Sequence, residues 1–220
     1  MKFTKDEIRQ SMLLYAVTDR MWLREGQTLA QVTERVLQSG ATFLQLREKT
    51  LTHDAFLAEA VELKALCARY HVPFVVNDAI DIALACGADG VHVGQSDIVG
   101  RDVRAMIGPD RLLGISANTV ETAVAAQRAG ADYIGVGAVF GTTTKKDAET
   151  LSAEALRAIC GAVDIPVVAI GGISKDNIAQ LSGSGVDGVA VISAIYGQPD
   201  PAAATTDLLE RARNMVSAHG

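Results

Sequence analysis

Four short segments repeat one pattern: Gly40-Ala41-Thr42, Gly87-Ala88-Asp89, Gly130-Ala131-Asp132 and Gly185-Val186-Asp187. In each, a stretch with helical spacing runs into the glycine and an apolar run begins at once behind it. Glycine just past a helix adopts a left-handed conformation without a Cβ penalty and stops the helix there. One corner type reused along the chain fits a series of equivalent strand–helix units.

Periodicity fills in the rest. Apolar runs predict strands at 13–17, 42–46, 74–76, 90–93, 112–115, 133–136, 167–170 and 189–192. Between and after them, helical patterns occupy 29–37, 52–70, 79–86, 102–107, 120–129, 153–162, 176–181 and 202–216, and an amphipathic helix at 4–11 precedes the first strand as a plug or cover. Eight strands alternate with eight helices. The strands are nearly continuous apolar runs, which suits a parallel sheet buried on both faces. The fold class that follows is α/β, a (β/α)8 TIM barrel with a short N-terminal helix, forming a single domain over residues 1–220. A doubly wound open sheet is the runner-up.

Charge and composition restrict the partners. The formal charge is −6, so the chain as a whole repels nucleic acid, and any anionic ligand must be held by local positive charge. No apolar run approaches the ~20 residues that cross a bilayer, and the first residues, MKFTKDEIRQSM, lack the core of a signal peptide. Three cysteines, Cys67, Cys86 and Cys160, lack metal-ligand spacing and read as buried reduced thiols. A cytoplasmic protein acting on small molecules, with homo-oligomerisation left open, is the simplest reading.

In a barrel of this type the chemistry lies where the strands end. Asp78 follows the third strand and Asp97 the fourth, so both acids fall on one face and could share a divalent cation. Both could instead start helices, but Asn77 and Ser96 stand beside them for that role. Mg²⁺ commonly takes one or two carboxylates and completes its shell with water and substrate phosphate. Gln45, Arg47 and Lys49 alternate with Leu44, Leu46 and Glu48. If the leucines pack outward, Gln45 and Arg47 point into the barrel, where an unpaired arginine is costly. It either pairs with Glu48 or a barrel acid, or forms part of a fork for a phosphate or diphosphate. His92 alternates with Val91 and Val93 and faces inward; a hydrogen-bonded core histidine is the commoner case, and no role is assigned to it.

Two further segments suit anions. Thr142, Thr143 and Thr144 precede Lys145 in a long polar loop, either a solvated loop or a lid with ligand contacts. Gly171-Gly172 after the seventh strand and Ile192-Ser193 at the end of the eighth occupy the position where barrels commonly bind phosphate through backbone N–H groups. The alternative is glycine used only for a tight turn.

Five motifs, QLREK at 45–49, ND at 77–78, GADGVHVGQSD at 87–97, TTTKKD at 142–147 and AIGGI at 169–173, together resemble the thiamine phosphate synthase family. The resemblance covers nearly the whole chain in order and spacing. It implies a (β/α)8 barrel that joins hydroxymethylpyrimidine diphosphate to a thiazole phosphate, or to its carboxylated form, and releases diphosphate. It further implies that Gln45, Arg47, Lys49, Asn77, Ser116 and Lys145 bind the pyrimidine substrate, and that Asp78 and Asp97 hold Mg²⁺. Thr142, Thr144, Gly172, Ile192 and Ser193 would hold the thiazole phosphate. Arg47, Lys49, Ser116 and Lys145 are the residues expected to assist the reaction. The family often carries prolines where this chain has Ala138 and Gly141, which leaves the pose of that loop less fixed. A thiazole tautomerase on the same barrel would keep the thiazole site without the diphosphate and Mg²⁺ apparatus. A non-catalytic sensor of phosphate ligands is the third class.

Overall fold

Short polar side chains start most of the helices. Thr4, Thr28 and Thr119 each accept the third backbone N–H of their helix in a capping box, and Thr52, Asp102 and Ser152 make the single-sided version. The computed structural model describes residues 3–95, 99–141 and 150–217. The helices are α1 (Lys5–Ser11), α2 (Leu29–Gln38), α3 (His53–Arg69), α4 (Ile80–Ala85), α5 (Val103–Ile107), α6 (Val120–Arg128), α7 (Ala153–Gly161) and α8 (Pro201–Ser217). The strands are β1 (Leu14–Val17), β2 (Phe43–Leu46), β3 (Phe74–Asn77), β4 (Gly90–Val93), β5 (Leu112–Ala117), β6 (Tyr133–Val136), β7 (Val167–Ile170) and β8 (Gly188–Val191). They pair in sequence order, all parallel, and β8 closes back onto β1. The expected (β/α)8 barrel is therefore present.

One element differs in kind. The helix expected at 176–181 is a single 3-10 turn, Ile178–Leu181. Asn177, just ahead of it, accepts the Ser174 N–H and donates to the Gly172 carbonyl, so its side chain is committed to the preceding loop. Gly183, at φ 72°, turns the chain away shortly afterwards. A second 3-10 turn, Arg20–Trp22, follows β1 and was not expected. The expected eighth strand, 189–192, is shifted to Gly188–Val191, which places Ile192 and Ser193 just beyond its end.

Two apolar layers follow from strand alternation. Leu14, Ala16, Leu44, Leu46, Val76, Val91 and Val93 face the helices. Tyr15, Val17, Phe43, Val75, Leu112, Tyr133, Val168 and Ala190 fill the barrel interior. Ile8, within α1, and Met12, just past its end, join this inner group at 2% and 0% exposure, so the leading helix plugs the barrel floor. Each large apolar side chain buried in this way contributes about 1.5–3 kcal/mol. Of the three thiols, Cys67 is buried, but Cys86 and Cys160 are only partly so, which corrects the expectation for those two.

The repeated corners have a common function. Gly40, Gly87, Gly130 and Gly185 all have positive φ, at 102°, 67°, 84° and 89°. The third residue of each corner then accepts the first or second backbone N–H of the preceding strand: Thr42 from Leu14 at 2.8 Å, Asp89 from Phe74 at 3.0 Å, Asp132 from Leu113 at 2.7 Å and Asp187 from Val167 at 2.8 Å. These N–H groups stand at the floor of the sheet, where leaving one unpaired would cost about 1–3 kcal/mol. The aspartates are held in turn by Lys64, Arg104 and Arg9.

Candidate functional site

At the opposite end of the barrel a cavity of about 1080 Å³, including the open space at its mouth, lies between the strand ends. Its floor is Tyr15, Gln45 and His92, its β2–β3 wall carries Arg47 and Asn77, and its far wall is Gly171, Gly172, Ile192 and Ser193. Ser116, at the end of β5, opens into it between these walls. Gln45, Arg47, Asn77, Ser116, Gly172, Ile192 and Ser193 are thus brought to one cavity. Asp97, Thr142, Thr143, Thr144 and Lys145 lie outside the described residues.

Arg47 is placed from two directions. Its backbone N–H donates to the Thr18 hydroxyl at 3.0 Å, which fastens the end of β2 to the end of β1. Its guanidinium stands 3.6 Å from Asp19 Oδ2, too long for a hydrogen bond but close enough to attract. Asp19 is 8% exposed and accepts the Met21 N–H, so the acid is itself fixed. Arg47 therefore keeps donors available to a ligand while its charge is partly balanced. In the sequence Thr18 and Asp19 simply follow the first apolar run. Their role depends on the β1–β2 pairing, in which Val17 stands opposite Gln45.

Glu48 turns the other way. Its Oε1 accepts the N–H groups of Lys49, Thr50 and Leu51 at 2.7, 2.6 and 3.1 Å and the Thr50 hydroxyl at 2.9 Å. Its Oε2 takes Arg20, which also reaches Glu59 at 2.6 Å. One carboxylate thus ties down the loop that presents Lys49. Burial alone would raise the Glu48 pKa, but the Thr50 N–H, the Arg20 guanidinium and the other donors outweigh it and bring it from 4.5 to about 2. Because the folded value lies below the unfolded one, the resulting stabilisation is complete above about pH 5 and is lost as pH falls through 4.5 toward 2. In urea melts at stepped pH, the stability gap between the protein and its Glu48→Gln variant is expected to be widest above about pH 5 and to narrow below it. A gap independent of pH would rule out an ionised Glu48 as the anchor.

Asp78 follows Asn77 but is not among the residues that line the cavity, and it adopts a conformation few residues take, with φ 62°. Its N–H donates to the His92 carbonyl at 2.9 Å, so pairing with β4 imposes that geometry. Backbone strain of this kind persists where the surroundings over-determine it and clusters at functional sites. The side chain is not a helix cap. The N-cap of α4 is Ala79, with no side-chain cap, and Asn77 instead donates to Asp78 Oδ2 at 2.6 Å. Lys49 Nζ reaches the same Oδ2 at 2.7 Å, while Oδ1 takes neither bond. An orientated carboxylate with one oxygen turned from its cation is compatible with Mg²⁺, which needs only one or two such ligands beside phosphate and water. Among the described residues no three His, Cys, Asp or Glu side chains cluster as a protein-only metal cage.

The far wall is built from close backbone approach. Gly171 and Gly172 have φ 101° and 65°, and a Cβ on them would stand 2.6 Å from Ala138 Cβ and 2.3 Å from the Gly141 carbonyl. The Phe140 N–H donates to the Gly171 carbonyl at 3.0 Å, and Asn177 holds the Gly172 carbonyl at 2.9 Å. Asn177 was missed in the sequence, where it appeared as one polar residue in a helix. Opposite, Gly197 donates to the Ser193 carbonyl at 3.1 Å, so Ile192 and Ser193 lead into a single helical turn.

Residues 14–195 match the family model described as thiamine monophosphate synthase. The chain belongs to that family. A thiamine-phosphate synthase of Ruminiclostridium cellulolyticum is 50% identical over 197 residues, covering 90% of this chain and 93% of that protein. One from Clostridium tetani is 48% identical over 195 residues, covering 89% and 93%. Among solved structures, thiamine phosphate pyrophosphorylase from Pyrococcus furiosus superposes with a TM-score of 0.86 at 38% identity, covering 95% of this chain and 99% of that one. The thiamine monophosphate synthase match thus runs from the start of β1 to just past β8, across all eight strand ends that frame the cavity.

Proposed function

We propose that the cavity joins hydroxymethylpyrimidine diphosphate to a thiazole phosphate, giving thiamine phosphate and diphosphate, with Mg²⁺ as cofactor. Membership of the thiamine monophosphate synthase family makes the chain a transferase of thiamine biosynthesis. The observation that supports the site assignment is one cavity with a cationic wall on one side and a glycine-rich wall on the other. Arg47 and Asn77 line it at β2–β3, with the Lys49–Asp78 pair next to them but outside the lining, and Gly171, Gly172, Ile192 and Ser193 line it at β7–β8. The first wall suits the diphosphate of the pyrimidine substrate, the second the single phosphate of the thiazole.

Arg47 and Lys49 stabilise charge as the bond from the pyrimidine methylene to diphosphate breaks and the diphosphate departs with the electron pair. The electron-rich pyrimidine ring spreads the positive charge left on the methylene. The thiazole, held by its phosphate on the glycine wall, presents its nitrogen lone pair, and the new C–N bond forms. Gln45 and Ser116 orient the pyrimidine from the cavity floor and side. Mg²⁺, held by Asp78 with Asp97, would supply charge neutralisation at the diphosphate. Much of the acceleration comes from holding two substrates in register. Lys145, Thr142, Thr143 and Thr144 are assigned to the phosphate contacts by the family resemblance alone.

Supplying the protein with both substrates and Mg²⁺ is expected to give thiamine phosphate and diphosphate in equal amounts, and chelation is expected to stop turnover. Binding of both compounds without product would refute the synthase reading. Arg47 and the Lys49–Asp78 ion pair speak against a thiazole tautomerase, which needs no diphosphate site.

A further inference from the structure

Five side chains form one unbroken hydrogen-bond chain through the barrel interior. Gln45 Nε2 lies 2.6 Å from the Tyr15 hydroxyl, which lies 2.9 Å from that of Tyr133. The Tyr133 hydroxyl lies 3.1 Å from His92 Nδ1, and His92 Nε2 lies 3.0 Å from Ser116 Oγ. Tyr15 and Tyr133 are 1% and 0% exposed, and burial raises the pKa of both phenols, so they remain neutral hydroxyls. The barrel makes room for the chain. A Cβ at Gly114 would stand 2.3 Å from the Tyr133 hydroxyl and 2.4 Å from His92 Nδ1, and one at Gly135 would press on His92 Cε1 at 3.2 Å.

Direction follows from proton inventory. An amide nitrogen only donates, and a phenol has one proton to give. Tyr15, accepting from Gln45, has Tyr133 as the remaining partner for its own buried proton, which would be costly to leave unpaired, and so donates to it. Tyr133, now an acceptor, gives its own to His92 Nδ1. That places the imidazole proton on Nε2, where it is donated to Ser116 Oγ. We propose that this polarised chain fixes His92 as the neutral Nε2–H tautomer and turns the Ser116 hydroxyl proton into the cavity, so that His92 and Tyr133 are positioning residues acting through Ser116. The group that recognises this hydroxyl is a hydrogen-bond acceptor on the substrate, a pyrimidine ring nitrogen or a diphosphate oxygen. The kinetic consequence rests on the function proposed above; the tautomer does not. A serine without this support is free to exchange among its staggered rotamers and spends less time aimed at the acceptor.

Long-range proton–nitrogen correlation spectra of protein labelled at histidine test the tautomer without substrates, with the His92 signals identified by their loss in His92→Gln. His92 is expected to carry its proton on Nε2 alone near neutral pH, and Tyr133→Phe is expected to remove that preference. A proton on Nδ1, alone or together with Nε2, would overturn the proposal. In turnover, Tyr133→Phe and Ser116→Ala are each expected to lower kcat roughly tenfold, the effect of one lost hydrogen bond, with KM for the thiazole phosphate unchanged. The double variant is expected to lose no more than Ser116→Ala alone. His92→Gln, which keeps an N–H donor, is expected to retain more activity than His92→Leu. Multiplying losses, or full activity in Tyr133→Phe, would overturn the proposal. If the unmodified protein makes no thiamine phosphate, the synthase reading fails while the spectra still decide the chain.

Discussion

Arg47→Ala is expected to lower kcat/KM for the pyrimidine diphosphate by about 10²–10³-fold, the usual effect of removing one preorganised donor from developing negative charge. The barrel should survive, because Arg47 is tethered to Thr18 through its backbone N–H, which alanine retains. The loss should fall on one substrate. Arg47 stands on the β2 wall, whereas the thiazole phosphate is assigned to Gly171, Gly172, Ile192 and Ser193 across the cavity. Steady-state kinetics with each substrate varied in turn should show KM for the thiazole phosphate within about twofold of the unmodified protein, as expected for an independent site. Arg47→Lys keeps the charge but not the planar fork and should recover only part of the rate. An alanine variant with unchanged kinetics would reduce Arg47 to the partner of Asp19.

Asp78→Asn should raise the Mg²⁺ concentration required for half-maximal turnover by about tenfold or more, since a carboxylate is a far better ligand for this hard cation than an amide. Asparagine is the informative replacement. It tolerates the left-handed backbone that Asp78 adopts at φ 62°, so a loss of activity cannot be assigned to strain. Alanine would combine the ligand effect with a backbone cost of about 1 kcal/mol. Far-UV circular dichroism and urea midpoints should match the unmodified protein. Turnover with an unchanged Mg²⁺ dependence would confine Asp78 to its ion pair with Lys49.

The fold was legible in the sequence because its determinants are local. Gly40, Gly87, Gly130 and Gly185 mark helix ends on their own, and each strand is a short apolar run. Gln45 and Arg47 were legible for a related reason. Alternation within one strand separates them from Leu44 and Leu46, and the structure places the leucines outward. Residues whose meaning depends on a distant partner were not legible. Tyr15 and Tyr133 are separated by 118 positions and meet only when the barrel closes. His92 was seen to face inward, but its partners come from β5 and β6, so nothing in its own stretch could name them. Asp19 and Asn177 hold other groups in place across loops, and neither carries a local signature. The 3-10 turn at Ile178–Leu181 was read as a helix because its apolar spacing is compatible with both.

The corner clasps divide the barrel into an end that holds and an end that varies. Thr42, Asp89, Asp132 and Asp187 each fasten the start of a strand to a corner at the floor, and three of them are anchored by cations on surrounding helices. None of these bonds passes through the strand ends that carry Arg47, Asp78, Ser116 or Gly172. The loops that choose the substrate can therefore be rewritten one at a time while the ring of strands keeps its register, and new chemistry can be tried on this scaffold without first rebuilding it.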